Sequence, residues 1–325
     1  MTVQHVVLVT GAAGFVGARV TARLAATSGV RVVATDLRPP EAPQWPDTVR
    51  FEALDIRDPA LAELMSEAQV TSVVHLASVV TPPPGMSREV QETIDVGGTG
   101  NVLAACRQAG VAHLTVTSSG AAYGYHADNR VPLCETDALR GNAAFAYADH
   151  KRRVEQMLAQ WRDEYPQLKQ LVLRPGTILG TGVNNQITGL FERPFLLGVA
   201  GSDSPFVFIR DEDVVNIIVR GVLEQCTGIY NLAGEGWLGM RELARLLGKP
   251  LLPVPAAVIR GMIRLLSLLR LTRLEPAQVD FLRYRPVLDN TALRESFGYT
   301  PVPSREVFLQ WAQGRGLLDK SDPGP

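Results

Sequence analysis

The run His5-Val6-Val7-Leu8-Val9-Thr10-Gly11-Ala12-Ala13-Gly14-Phe15-Val16-Gly17 constrains the fold more than any other stretch of the chain. An apolar, β-branched segment reads as a buried strand, glycines follow at positions 11, 14 and 17, and an amphipathic run opens directly behind them. Glycines at this spacing allow a tight turn out of a strand, close approach of backbone to a pyrophosphate, and close packing of the following helix. The free N–H groups and positive end of that helix then meet the pyrophosphate. A three-glycine match alone is weak, because an ordinary turn has the same composition. Here a strand precedes it, a helix follows it, and an acid closes the second strand. The acid is Asp36, at the end of Val32-Val33-Ala34-Thr35-Asp36. A carboxylate there accepts the ribose hydroxyls of NAD and repels the 2′-phosphate of NADP, so NAD is the expected cofactor even with Arg38 two residues on.

From this start the first half alternates short β-branched runs with amphipathic stretches, the rhythm of βαβ units over a parallel sheet covered on both faces. Strands are expected at 6–10, 31–35, 50–54, 72–76, 113–117 and 170–173, and helices at 15–27, 59–67, 91–108 and 145–164. Past Arg174 glycine and proline become frequent, and helices at 240–247, 258–271, 276–282 and 305–311 have no strands between them. A strand at 207–209 with its helix from Asp211, and a strand at 229–232, interrupt this region as two further Rossmann-like pieces. The expected fold is α/β: a doubly wound parallel-sheet Rossmann fold with a smaller, interleaved C-terminal substrate domain. Residues 1–174 would form the NAD-binding domain, with 206–233 returning to it, and 175–325 would be mainly substrate-binding. The tail 320–325 reads as disordered.

Composition excludes several functions. Lys and Arg number 32 against 33 Asp and Glu, so no global field draws the chain to nucleic acid. Cys106, Cys134 and Cys226 are odd in number and far apart, which fits a reducing compartment without disulfides and offers no metal-type spacing. His5, His113, His126 and His150 form no ligand pattern, so no metal is expected. The first strand is too short for a signal peptide, and Pro253, Pro255, Arg260, Arg264 and Arg270 break the Leu- and Ile-rich stretch 251–271 as a membrane span. A cytoplasmic location follows as the expectation. The helix at 258–271 is basic and amphipathic; a position over the substrate cleft is the preferred reading, and a membrane-surface role is the alternative.

The chemistry points to Tyr147-Ala148-Asp149-His150-Lys151, at the start of the long helix at 145–164. Four-residue spacing puts Tyr147 and Lys151 on one helix face. A free tyrosine titrates near pH ~10, so about one in a thousand is ionised at neutral pH. A neighbouring ammonium and a cationic nicotinamide both favour the phenolate. The pair can then take a proton from a hydroxyl as hydride leaves it, or return one. Ser119 ends a buried strand at the carboxyl edge of the sheet, where doubly wound folds bind ligands, and its hydroxyl could hold the substrate oxygen; the adjacent Ser118 is the alternative.

With these residues the chain resembles the extended short-chain dehydrogenase/reductase family, which includes NAD-dependent sugar epimerases and dehydratases. Thr10 to Gly17 is similar to its glycine loop, and Asp36 to its ribose acid. Asp55-Ile56 resembles its adenine contact, His75-Leu76-Ala77-Ser78 its loop beside the cofactor, and Ser118-Ser119-Gly120-Ala121-Ala122-Tyr123-Gly124 its strand end with the catalytic serine at Ser119. Leu173-Arg174-Pro175-Gly176 resembles the strand after the Tyr-Lys helix, and Ile209-Arg210-Asp211-Glu212-Asp213-Val214-Val215 a structural landmark. The resemblance implies a catalytic set of Ser119, Tyr147 and Lys151. It implies NAD held by Gly11, Ala13, Gly14, Phe15, Val16, Gly17, Asp36, Asp55, Ile56, Leu76, Ala77, Tyr147, Lys151 and Pro175. It also implies a homodimer formed through the helices at 91–108 and 145–164.

Two departures bear on function. Asp95-Val96-Gly97-Gly98-Thr99 stands where the family commonly begins with asparagine, so Asp95 is left out of the catalytic set. Sugar-nucleotide members usually carry an arginine where this chain reads Ser202-Asp203-Ser204-Pro205-Phe206, and Asp203 is expected to repel a diphosphate; Arg283 and Arg285 precede Leu288-Asp289, near where those members place a second arginine. The leading expectation is an NAD-dependent dehydrogenase or reductase of a small or medium organic alcohol or ketone. The alternative is a nucleotide-sugar epimerase or dehydratase with transient NAD reduction. A non-catalytic NAD sensor would have no need of all three of Ser119, Tyr147 and Lys151.

Overall fold

The apolar runs of the first half become strands whose core positions are almost free of solvent, as a sheet covered on both faces requires. The computed structural model describes residues 5–40, 45–269 and 276–318, so the tail 320–325 lies outside it. In chain order the first elements are β1 (His5–Thr10), α1 (Phe15–Ala25), β2 (Val30–Asp36), β3 (Arg50–Ala53), α2 (Ala60–Glu67) and β4 (Ser72–His75). They continue with α3 (Arg88–Glu92), α4 (Gly98–Ala109), β5 (His113–Thr117), α5 (Ala146–Glu164) and β6 (Lys169–Pro175). The later elements are β7 (Thr177–Leu179), α6 (Gln186–Phe191), β8 (Leu196–Val199), β9 (Pro205–Phe206), β10 (Phe208–Arg210) and α7 (Asp211–Leu223). They end with β11 (Gly228–Leu232), β12 (Leu238–Gly239), α8 (Met240–Leu246), β13 (Leu251–Val254), α9 (Ala256–Leu268), α10 (Thr291–Glu295) and α11 (Ser304–Gly314).

Seven strands form one sheet in the order β11-β6-β5-β4-β1-β2-β3. The pairs from β6 through β3 are parallel. The order reverses between β1 and β4, and in doubly wound folds that crevice at the carboxyl edge is where ligands bind. Val6, Leu8, Val33, Val73, Leu114 and Val172 of the sheet pack with Leu61, Met65, Leu103, Val154 and Leu158 of α2, α4 and α5.

The chain divides into two compact units, residues 1–122, 150–174 and 214–230 in one, 123–149, 175–213 and 231–325 in the other. These bounds differ from the sequence expectation in giving 123–149 to the second unit. Of the two expected returning pieces, 228–232 joins the seven-stranded sheet, whereas β10 pairs with β7 in a separate two-stranded sheet. The core of the second unit is aromatic: Phe191, Phe206, Phe208, Phe308 and Trp311 pack edge-on and stacked.

One further expectation needs correction. The helices of the second half do have short strands among them, β8 with β13 and β9 with β12. Ladders two to four residues long leave no periodic signal in sequence. The helix expected at 91–108 is present, running without interruption from Arg88 to Ala109 with one wide π-type turn at Thr93–Gly97 inside it. A Cβ on Gly98 would lie 2.8 Å from Ile56 Cγ1, so only glycine lets the helix approach there.

Candidate active site

The glycine loop is built to exclude its own side chains. Gly11 sits at φ +68°, and a Cβ there would lie 2.6 Å from the Ala77 nitrogen; one on Gly17 would overlap the Gly11 carbonyl oxygen and stand 2.9 Å from Ala12 Cα. Leu76 and Ala77 follow β4 and press on the loop, with the Leu76 amide donating to the Thr10 carbonyl at 3.2 Å. A Cβ on Gly14 would meet only the Gly11 oxygen, at 3.2 Å, so this position is open compared with the other two. Gly14 caps α1 without a side-chain hydrogen bond, and no acid stands in the first turn from Phe15 and Val16. A helix end so left exposes its amides and dipole to an anion. Asp36 reaches the loop from the end of β2: its carboxylate accepts from the Ala13 amide at 3.0 Å and from the Leu37 amide at 2.7 Å. Asp55 is gripped by Arg57 through Nε at 2.9 Å and Nη2 at 2.6 Å, which holds its carboxyl below the usual range against the opposing effect of burial. Ile56 beside it is buried.

On α5, Tyr147 and Lys151 stand one turn apart, as the spacing requires. Lys151 is 6% exposed and donates from Nζ to the Thr117 carbonyl at 3.0 Å, two residues before Ser119. Burial lowers its pKa, while the charges of Asp95 and Glu155 oppose the fall. The adjacent serines differ in what lies beneath them. Ser118 is buried and donates to Glu155 at 2.5 Å, and Glu155 is held by Arg174 through Nε at 2.9 Å and Nη2 at 2.6 Å. Ser119 is half-buried, its Oγ accepting from the Ala121 amide at 3.1 Å. Pro175 closes β6 at the same edge of the sheet, and its side chain is buried. Tyr147 is half-buried, with the Phe145 ring 6.3 Å away.

Asp95, excluded on sequence, proves to be the hub of a buried network. It is 3% exposed, accepting from Ser78 Oγ at 3.0 Å and the Val79 amide at 2.8 Å on one oxygen and meeting His150 Nδ1 at 3.1 Å on the other. Burial opposes its ionisation, but these donors and the Lys151 charge hold its pKa below the ordinary value. Its departure from the family's asparagine was the one sequence signal. His75 lies close by, its ring nitrogens meeting Thr10 Oγ1 at 2.7 Å and Thr99 Oγ1 at 3.1 Å. Thr99 spends its proton on the Asp95 carbonyl at 2.6 Å, so it accepts from Nε2, and Nδ1 accepts from Thr10. Burial, then the Lys151 charge, pushes the His75 pKa down to about 3, and the ring is neutral.

The second unit holds a different constellation. Arg285 is 8% exposed, its guanidinium 4.1 Å from the Phe206 ring centroid and 4.2 Å from that of Phe281. Its Nε and Nη2 have no hydrogen-bond partner among the described residues. Burial pushes its pKa down to about 10, against the opposing influence of Tyr125, so it stays cationic at neutral pH. Tyr125, Phe145 and Phe281 form an aromatic cluster with centroids 4.8 to 5.7 Å apart. With His126, Arg140 and Asp280 the three rings line a cavity of about 270 Å³. Asp203 is exposed at the start of α8. It accepts from the Arg241 amide at 3.0 Å, and a Cβ on Gly239 would strike its carboxylate, so it serves the start of α8.

A doubly wound sheet with a side-chain-free glycine loop beside its switch point defines a dinucleotide-binding enzyme. Residues 7–233 match the family model of the NAD-dependent epimerase/dehydratase family; the chain belongs to that family and is an NAD-dependent enzyme. An uncharacterised protein of Mycobacterium tuberculosis is 26% identical over 98% of this chain and 86% of its own. The sterol-4-alpha-carboxylate 3-dehydrogenase (decarboxylating) of Saccharomyces cerevisiae is 29% identical over 44% of this chain and 40% of its own. The fold is similar to that of Thermus thermophilus UDP-glucose 4-epimerase solved with NAD, with a TM-score of 0.71 and 24% identity, covering 96% of this chain and 100% of that one.

Proposed function

We propose that this enzyme is a dehydrogenase or reductase that transfers hydride to or from a hydroxyl or carbonyl carbon of a small or medium organic substrate. The carrying observation is the buried ammonium of Lys151, tied to the end of β5 two residues before Ser119 and one helical turn from Tyr147. The loop fits NAD, since Gly11 and Gly17 leave no room for side chains and the first turn of α1 keeps its amides free. Gly11, Ala13, Gly14, Phe15, Val16 and Gly17 would hold the pyrophosphate and Asp36 the ribose. Asp55 and Ile56 would hold the adenine, and Leu76, Ala77 and Pro175 the remainder. NAD, when bound, supplies the hydride acceptor or donor. Lys151 lowers the pKa of Tyr147 and holds the nicotinamide ribose, and Tyr147 moves the proton at the substrate oxygen that Ser119 orients. Asp95 and Glu155 favour the charged form of Lys151 against the burial that opposes it.

Arg285 narrows the substrate. A buried guanidinium between two rings, its Nε and Nη2 without a hydrogen-bond partner among the described residues, fits a single anionic group, such as a carboxylate, attached to an apolar skeleton. The carboxylated sterol named for the yeast relative is of this chemistry. The second reading, a nucleotide-sugar epimerase or dehydratase, is favoured by the UDP-glucose 4-epimerase likeness and by the same arginine. Against it, the stretch Ser202-Asp203-Ser204-Pro205-Phe206, where sugar-nucleotide members usually carry an arginine, holds none, and its Phe206 ring faces Arg285. A cytoplasmic homodimer is part of the proposal.

A screen of hydroxy acids, sterol acids, simple alcohols and nucleotide sugars, followed by NADH absorbance, tests the reading. Tyr147→Phe should lower turnover on the responding substrate by ~10²-fold or more, the usual loss of a general acid/base, with NAD affinity unchanged. Near-normal turnover in that variant removes Tyr147 from the mechanism. Micromolar calorimetric binding of UDP, displaced by its sugar conjugate, favours the epimerase reading.

A further inference from the structure

The apolar arc of helix α9 is wider than the part the protein covers. Ile259, Ile263 and Leu266 fall on one side, with Ile263 only 9% exposed. Val258, Met262, Leu265 and Leu268 fall on the other at helical spacing, with Leu269 directly after, and they are 53, 49, 58, 80 and 57% exposed. Single exposed apolar residues are normal, but a continuous stripe marks a contact surface. From Leu251 to Leu269 there is no acidic residue, and the only charges are Arg260 and Arg264. Arg260 ties the helix to the segment Pro276–Leu282 through Asp280 at 2.9 Å. Arg264 is exposed and falls by helical periodicity beside Leu268, at the edge of the stripe.

We infer that α9 is an interfacial helix that lays this stripe into an anionic lipid surface. Thirteen residues cannot cross a bilayer, and no described helix is long and apolar enough to do so, so the helix lies on the membrane. Apolar side chains on one side with arginine at the edge match the requirements of an interfacial helix: area for the acyl boundary and charge for anionic headgroups. A second copy of the chain is the poorer occupant. The stripe offers on the order of 500 Å², against the ~800 Å² per partner of a stable interface, and an arginine edge meeting its own copy would repel. The proposal goes beyond the hydride-transfer reading and is independent of it.

The full chain with NAD is floated with vesicles of phosphatidylcholine alone and of phosphatidylcholine with phosphatidylglycerol, at low and high salt. Binding to the anionic vesicles should exceed binding to the neutral ones by ~10-fold or more and fall with salt. The double substitution Met262→Glu, Leu265→Glu, at exposed positions, should lose at least ~10-fold of the vesicle binding with thermal stability unchanged. Arg264→Glu should weaken only the preference for anionic vesicles. A dye on Leu265→Cys should shift to an apolar emission with vesicles, and one on Arg305→Cys should not. The inference is overturned if the wild type does not float, if the double variant floats as well as the wild type, or if the stripe instead proves to hold a dimer that the double variant dissociates.

Discussion

Replacing Arg285 with methionine separates a cation kept for a ligand from one kept for the fold. Burial lowers its pKa from the ordinary arginine value to about 10, which at ~1.4 kcal/mol per tenfold disfavours the charged form by about 3 kcal/mol. Both values lie far above pH 7, so the whole penalty is present under assay conditions and is relieved only as the pH rises above about 10. On the other side stand the contacts with Phe206 and Phe281, worth up to ~2 kcal/mol each when desolvated. Methionine spans the gap between the two rings, brings no charge, and recovers part of the stacking through its sulfur, roughly 0.3–1.5 kcal/mol per ring. The opposing effects nearly cancel, so Arg285→Met should unfold in denaturant within ~1 kcal/mol of the wild type. A charge-assisted hydrogen bond to a substrate carboxylate is worth ~1.5–3 kcal/mol, so affinity for an acidic substrate should fall ~10- to 100-fold by calorimetry. NAD affinity should be unchanged. A stability loss above ~2 kcal/mol with substrate affinity intact would make the arginine a structural strut and refute the carboxylate argument.

Wild-type enzyme should prefer NAD by kcat/KM, and Asp36→Ala should narrow or invert that preference; a native preference for NADP would show that Arg38 outweighs the acid. Gly17→Ala should cost ~1–3 kcal/mol and weaken NAD binding, because its Cβ would overlap the Gly11 oxygen, a backbone atom that cannot swing aside; normal binding would show that the loop has room. Between pH 6.5 and about 3 the unfolded chain protonates His75 and the folded chain does not, so stability should fall with pH, by about 3 kcal/mol from this residue at pH ~4.5. Denaturant titrations of His75→Gln should show a flatter acid limb, and identical limbs would contradict a neutral buried ring.

The sheet was legible because its strands are apolar nearly throughout, and the glycine loop because its geometry depends on side chains that are missing. Tyr147 and Lys151 were legible because helical periodicity alone brings them into line. What sequence could not show depends on partners distant along the chain. Ser118 and Ser119 are equivalent in a string, and only Glu155, 37 residues after Ser118, makes the first a buried strut and leaves the second half-exposed. The bond from the Arg241 amide to Asp203, and the ring of Ser78, Val79 and His150 around Asp95, join residues too far apart along the chain to be read from it. The helix expected at 91–108 was legible, but the π-type turn at Thr93–Gly97 inside it leaves no mark in a run that reads as regular helix.

The central claim is net hydride transfer with Tyr147 as the proton carrier, and the stoichiometry of NADH against product tests it most directly. With a responding hydroxy substrate and excess NAD, the wild-type enzyme should form one NADH for each carbonyl product released. Tyr147→Phe should form both at a rate ~10²-fold or more below that, still in equal amounts. Conversion of the substrate to a stereoisomer or dehydrated product with no accumulation of NADH would contradict the claim and assign the enzyme to the epimerase/dehydratase chemistry.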